Sequence, residues 1–246
     1  MRNYLRLSRT HSYSLLFALP LLVLYEAGAE YLHAQGGVAL RNGADVLLRT
    51  LLAATGVPGG VLLAVVLLGI GIVLVVLEQR RRRVRLRAGV FALMLLESTA
   101  YALVFGLVVG TATRWVLGAV PAVRLAADTG ALAGLSLPEG VVLSLGAGFY
   151  EELVFRVLLV GTLAGIFGAS GFDRRQAGIF AAVLAALLFS AFHYIGPFGD
   201  AWRAPSFLFR FLAGLVFSAL FLLRGFGITA WTHALYDIFL LLARGP

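Results

Sequence analysis

The chain has 246 residues, of which 61% are hydrophobic and only 13% charged, with a mean hydropathy of +0.94. A soluble domain carries roughly 25% charged residues, so a water-solvated globule is excluded in favour of an all-α, polytopic transmembrane helical bundle. The cysteine count of zero removes disulfides, thiolate metal sites and cysteine nucleophiles from consideration.

Seven apolar segments, at 14–33, 57–77, 88–110, 141–168, 176–195, 206–223 and 226–243, are each long enough to cross ~30 Å of hydrocarbon. The first follows a basic stretch and ends near Ala27-Gly28-Ala29, the pattern of a cleavable leader. Glu26 before that triplet and apolar character on to Leu32 favour a retained anchor. Residues 34–56 set Arg41, Asp45 and Arg49 among leucines, which predicts an interfacial amphipathic helix. Residues 111–140 form the longest loop, with Gly130, Gly134, Pro138 and Gly140 as breakers. Pairs of small residues at Gly106/Gly110 and Gly161/Gly165 predict close helix packing.

All 20 basic residues are arginines and the net charge is +8. In a soluble protein this would raise nucleic-acid binding; here the arginines sit at span ends, so topology explains them and no nucleic-acid partner is expected. With the N-terminus inside, twelve fall in inner segments (Arg2, Arg6, Arg9, Arg80 to Arg83, Arg85, Arg87, Arg174, Arg175 and Arg224). Six fall outside (Arg41, Arg49, Arg114, Arg124, Arg203 and Arg244). The positive-inside rule therefore puts the N-terminus in the cytoplasm and the C-terminus outside. The absence of lysine among many Ala, Gly, Val and Leu residues fits a GC-rich genome and a bacterial cytoplasmic membrane.

The fourth segment carries Tyr150-Glu151-Glu152-Leu153-Val154-Phe155-Arg156. Ionised groups at membrane depth cost ~2.5–3.5 kcal/mol each on insertion scales, and they mark functional sites by default. Glu152 and Arg156 are i, i+4 neighbours and are expected to pair. Glu151 is turned about 100° from Glu152 on an α-helix, which leaves it available as a base. An interhelical ion-pair staple or a proton relay would use the same groups. His193 closes the fifth segment and reads as an interfacial or capping residue when taken alone. His233 and Asp237 share one face of the last helix, where the aspartate can orient the imidazole or the pair can tie helices together. Glu97 is a further intramembrane charge, with Arg210 or Arg156 as its expected partner. Depth raises a tension: counted from the outer ends, Glu151 and His233 lie about ten residues deep, or ~15 Å, whereas His193 lies about two residues in. Residues 196–205 must then fold into an outward or lateral cavity, or the fifth helix ends elsewhere.

Together, Glu151-Glu152-x-x-x-Arg156, Phe189-x-x-x-His193 and His233-x-x-x-Asp237 resemble the three motifs of the CAAX prenyl endopeptidase and bacteriocin-processing family of intramembrane proteases. The resemblance covers roughly residues 140–243, so the chain divides into 1–139, spans without a family motif, and 140–246, a catalytic region. It implies that Glu151, with His193, activates the attacking water, that His233 and Asp237 polarise the scissile carbonyl, and that Glu152 and Arg156 form the supporting ion pair. The eukaryotic prenyl-peptidase branch has asparagine at the last position. An ionised aspartate cannot donate to an oxyanion, so orienting His233 is the safer role for Asp237. The resemblance leaves a divalent metal such as zinc open as cofactor, with Glu151, His193 and His233 as its ligands. The partners it implies are the lipid bilayer and a peptide or membrane-protein substrate.

Other intramembrane protease signatures fit less well. No His-Glu-x-x-His is present, Tyr236-Asp237 lacks a Gly-x-Gly-Asp partner, and Gly168 to Gly171 reads as a helix C-terminal turn better than as a serine-protease motif. A proton-coupled transporter using the same groups, or a non-catalytic membrane scaffold, are the readings from other classes. The polar load sits wholly in the second half, which favours one localised site over a two-fold transport pathway.

Overall fold

The computed structural model describes residues 2–36, 40–57, 60–118, 135–196 and 199–243. The described residues form nine helices: α1 (Arg2–Leu7), α2 (His11–Ala34), α3 (Gly43–Ala54), α4 (Gly60–Arg82), α5 (Ala88–Leu117), α6 (Leu137–Ala169), α7 (Arg174–Phe192), α8 (Ala204–Arg224) and α9 (Phe226–Ala243). Seven of them, α2 and α4 to α9, are long and apolar enough to cross a membrane. The chain is an all-α polytopic bundle and an integral membrane protein.

Helix ends follow local chemistry. Thr10 caps α2 by accepting from the Tyr13 N–H, and Asp173 caps α7 in a reciprocal box with Gln176. Helix α5 runs seven residues beyond the sequence-based limit of 110 and ends at Gly118, whose φ of 76° is the left-handed conformation glycine adopts most readily. Segment 34–56 holds α3, capped by Asn42. Its amphipathicity serves packing, because Asp45 on its inner face is fully buried. Arg124 and Arg244, Gly130 and Gly134, and residues 119–134 of the expected long loop lie outside the described residues.

The most enclosed span is α9, which packs on α2, α5, α6 and α8; α4 is the least enclosed. Small residues set the closest approaches. A Cβ on Gly148 would lie 2.5 Å from the Ala230 carbonyl oxygen and 2.6 Å from the Ala234 Cβ, so α6 meets α9 backbone to backbone at this level. The expected contact at Gly106 is present, with a Cβ there 3.0 Å from the Tyr236 ring. Gly161 and Gly165 do not serve as a packing pair among the described residues: a Cβ on Gly165 meets none of their atoms within 4 Å.

Glu97 pairs with neither Arg210 nor Arg156. It bonds Arg224 (2.6 and 2.7 Å) and accepts from the Tyr4 and Tyr101 hydroxyls. The reason is depth. Glu97 lies in the first third of α5 and Arg224 ends α8, so both sit at the arginine-rich end of the bundle. Arg210, near the other end of α8, pairs with Asp200.

Candidate active site

Within α6, Ala147–Glu151 and Leu153–Val160 are π-helical. A π-helix bonds i to i+5 and occurs mostly as short inserts at functional sites. The α-helical step assumed from sequence is therefore replaced by a wider turn, yet the two glutamates still diverge. Glu152 faces Arg156 and α9, while Glu151 faces α3 and the end of α7.

The Glu152 carboxylate is fully buried and divided between two partners: Oε2 lies 3.1 Å from Arg156 Nε, and Oε1 lies 2.7 Å from His233 Nδ1. The close approach at Gly148, one α-turn earlier, brings α9 within that reach. The Arg156 guanidinium sits 4.4 Å from the Phe189 ring centre and 5.3 Å from that of Phe217. Desolvated cation–π contacts are worth about 2 kcal/mol each, which offsets part of the cost of holding this charge at 1% exposure. Phe217 also stacks on His233 (centroids 4.4 Å apart, planes 21°) and fixes the plane of the imidazole. Nε2 of that ring points towards Asp237, whose Oδ2 is 3.6 Å away. Sequence reading paired Glu152 with Arg156 and left the orientation of His233 to Asp237. The structure gives His233 a second anchor, a hydrogen bond from its Nδ1–H to Glu152 Oε1.

His193 caps the C-terminal end of α7. Its Nδ1 lies 2.8 Å from the Phe189 carbonyl oxygen, and its Nε2 lies 4.0 Å from Glu151 Oε2. A carbonyl only accepts, so Nδ1 carries the proton and Nε2 of the neutral ring is an acceptor. The tension over depth disappears when it is counted from the arginine-rich end. Glu151 lies 18 residues before Ala169, and His193 lies 19 residues after Arg174. Helices α6 and α7 are antiparallel neighbours across that turn, so the two side chains stand level, and α6 simply extends further past the end of α7. The chain after His193 turns back on it: the Asp200 N–H donates to the His193 carbonyl (2.9 Å), and Asp200 pairs with Arg210. Pro197 and Phe198, near the start of the expected 196–205 fold, lie outside the described residues.

Two groups near Glu151 escaped sequence reading. Asn42 Nδ2 donates to Glu151 Oε1 (2.8 Å), and both residues are 8% exposed. Behind Asn42 runs a polar network. The Tyr25 hydroxyl donates to Asp45 Oδ2 (2.8 Å), and Arg49 Nε bonds Asp45 Oδ1 (2.5 Å). Glu26 accepts from Arg41 (2.7 Å), Arg49 (2.8 Å) and the Tyr150 hydroxyl (2.7 Å). Burial pushes the Asp45 carboxyl above the usual carboxylate range, against the opposing hydrogen bonds of Arg49 and Tyr25. Asn42-Gly43-Ala44-Asp45 carries a helix-start signature, so the cap was legible; the second use of the Asn42 amide was not.

The structure thus brings Glu151 to His193, Glu152 to Arg156 and His233, and His233 to Asp237. As zinc ligands, Glu151, His193 and His233 do not fit: among the described residues no three His, Asp or Glu side chains converge on a common point. His233 Nδ1 is taken by Glu152, and its Nε2 lies 3.6 Å from Asp237.

Residues 133–239 match the family model described as type II CAAX prenyl endopeptidase, Rce1-like. Neither a curated protein nor a solved structure matches the chain. The matched stretch contains Glu151, Glu152, Arg156, His193, His233 and Asp237, in agreement with the resemblance read from the three motifs, and it excludes Asn42. The match supports a CAAX intramembrane protease type of function.

Proposed function

We propose that the chain is a glutamate-type intramembrane endopeptidase. Glu151 and His193 hold the attacking water, His233 stabilises the oxyanion, and Glu152, Arg156 and Asp237 hold His233 in place. The observation that carries this reading is the pair of acceptors facing each other across 4.0 Å, Glu151 Oε2 and the lone pair of His193 Nε2. Two acceptors at that separation are matched by a group that donates twice. A water at ~2.8 Å from each would have its two bonds about 90° apart, within the range of hydrogen-bond geometry.

Chemistry then follows. Glu151 takes a proton from the water as its oxygen attacks the scissile carbonyl carbon. The carbonyl π bond opens, and the negative charge moves to the carbonyl oxygen. His233, protonated and donating Nδ1–H to Glu152, offers Nε2–H to that oxygen. As the tetrahedral centre collapses, the C–N bond breaks and Glu151 returns its proton to the leaving amine. The products are a new carboxyl terminus and a new amino terminus. Asp237 accepts beside Nε2 and acts by orientation, since a carboxylate has no proton to give the oxyanion.

The topology adopted with this reading places the N-terminus on the cytoplasmic side of a bacterial membrane, as the arginine distribution directs. The substrate is a peptide or a membrane-anchored protein. The test is a comparison of peptide termini in membranes carrying the wild type, Glu151→Gln or His193→Ala. New termini confined to the wild type are expected; identical termini in all three would overturn the proposal.

A further inference from the structure

We infer that Asn42, which lies outside the matched region, is a positioning residue for Glu151: its amide selects which carboxylate oxygen faces His193. The inference rests on the reading of Glu151 as the base. An amide's oxygen and nitrogen are normally assigned from their surroundings, and here the surroundings leave one choice. Asn42 Oδ1 accepts the Ala44 N–H (2.9 Å) as the cap of α3, so the group turned towards Glu151 Oε1 is the NH2. The backbone is held as well. Asn42 N–H donates to the Tyr25 hydroxyl (2.9 Å), and that hydroxyl is fixed by donating to Asp45. Neither the side chain nor the backbone of Asn42 can turn without losing a buried hydrogen bond.

Consider Glu151 without this contact. The terminal carboxylate torsion is broad and roughly two-fold, so either oxygen could face His193, at a range of angles. With Oε1 held by the Asn42 amide in a charge-assisted bond, Oε2 is the oxygen presented at 4.0 Å from His193 Nε2. The donor comes from the cap residue just before α3, in a part of the chain that carries none of the three motifs. The site is complete only when Asn42 and α3 are docked on α6.

Asn42 has two separable jobs, and the test separates them. Asn42→Ser keeps a strong helix cap, but its hydroxyl is too short to reach Glu151. Asn42→Asp keeps the cap and the shape while losing the donor. With full-length protein in liposomes and a cleaved peptide substrate, kcat is expected to fall about 10- to 100-fold in both variants, the scale set by misplacing a reacting group by an ångström. KM should stay unchanged. A kcat equal to wild type in Asn42→Ser, or a loss confined to KM, would overturn the inference.

A second measurement does not depend on proteolysis. Asn42→Ser is expected to lower the melting temperature of the wild type, and to lower it less in a Glu151→Ala background, where the acceptor is gone. An equal drop in both backgrounds would show that the amide serves only the cap. If the wild type cleaves nothing while the melting shifts remain coupled, the protease reading fails and the Asn42–Glu151 contact stands.

Discussion

The Glu152–Arg156 pair is sealed between Phe189 and Phe217, whereas the Glu97–Arg224 pair at the arginine-rich end is ringed by two tyrosines and a serine and keeps some exposure. Glu97 bonds to the scaffold, to Arg224, Tyr4 and Tyr101, which lock α1 and α8 against α5. Glu152 divides its oxygens between Arg156 and His233. The first cluster therefore couples packing to the candidate site, while the second only holds the bundle closed. Two ion pairs of the same chemistry acquire different jobs from the third group each one touches.

The largest effect is expected from Arg156→Met, which removes the guanidinium beside the fully buried Glu152 carboxylate. Removing one partner of a buried pair costs about 3–5 kcal/mol, so folded yield and melting temperature should fall sharply. Adding Glu152→Gln to Arg156→Met should recover part of the loss; a double variant worse than both singles would contradict a structural pair. Next comes Gly148→Ala. Its methyl would press on the Ala230 carbonyl and the Ala234 side chain, and overpacking of this kind costs about 1–3 kcal/mol. Because that contact sets the Glu152–His233 distance, cleavage per folded molecule should drop too. Unchanged specific activity would break the proposed coupling.

Arg224→Met should be milder. The pair keeps 8% and 17% side-chain exposure, and a loss of about 1–2 kcal/mol lies between surface and buried pairs. Faster protease cutting between α1 and α2 is the expected signature, with activity per folded molecule retained. A selective loss of activity would erase the contrast between the clusters. The smallest effect is expected at Gly165→Ala, where no atom of the described residues lies within 4 Å of the added methyl. Replacing an exposed helical glycine changes stability by no more than about 1 kcal/mol, in the favourable direction. A large loss in a melting assay would reveal a partner for that face.

The number of spans was legible because ~20 apolar residues in a row have few other uses. Their packing was less so. Gly106 and Gly165 look alike in sequence, yet one meets Tyr236 and the other meets none of the described residues, since a small residue does not name its neighbour. The three motifs were legible as chemistry because charges at membrane depth need a reason. Partner choice was legible only within one helix: the i, i+4 pair Glu152–Arg156 was expected, while Glu97–Arg224 depended on the register of α5 against α8. Asn42 shows the same limit. Its cap on α3 is local and readable, but its bond to Glu151 spans 109 positions and follows from tertiary docking.

The central claim is that Glu151 delivers a water to the scissile carbonyl. The direct measurement is cleavage of a purified transmembrane peptide in 18O-labelled water by the wild type and by Glu151→Gln, both shown to be folded by their melting curves. The account predicts one 18O atom in each new carboxyl terminus formed by the wild type and no cleavage by Glu151→Gln. Cleavage that survives Glu151→Gln, or new carboxyl termini without label, would contradict it.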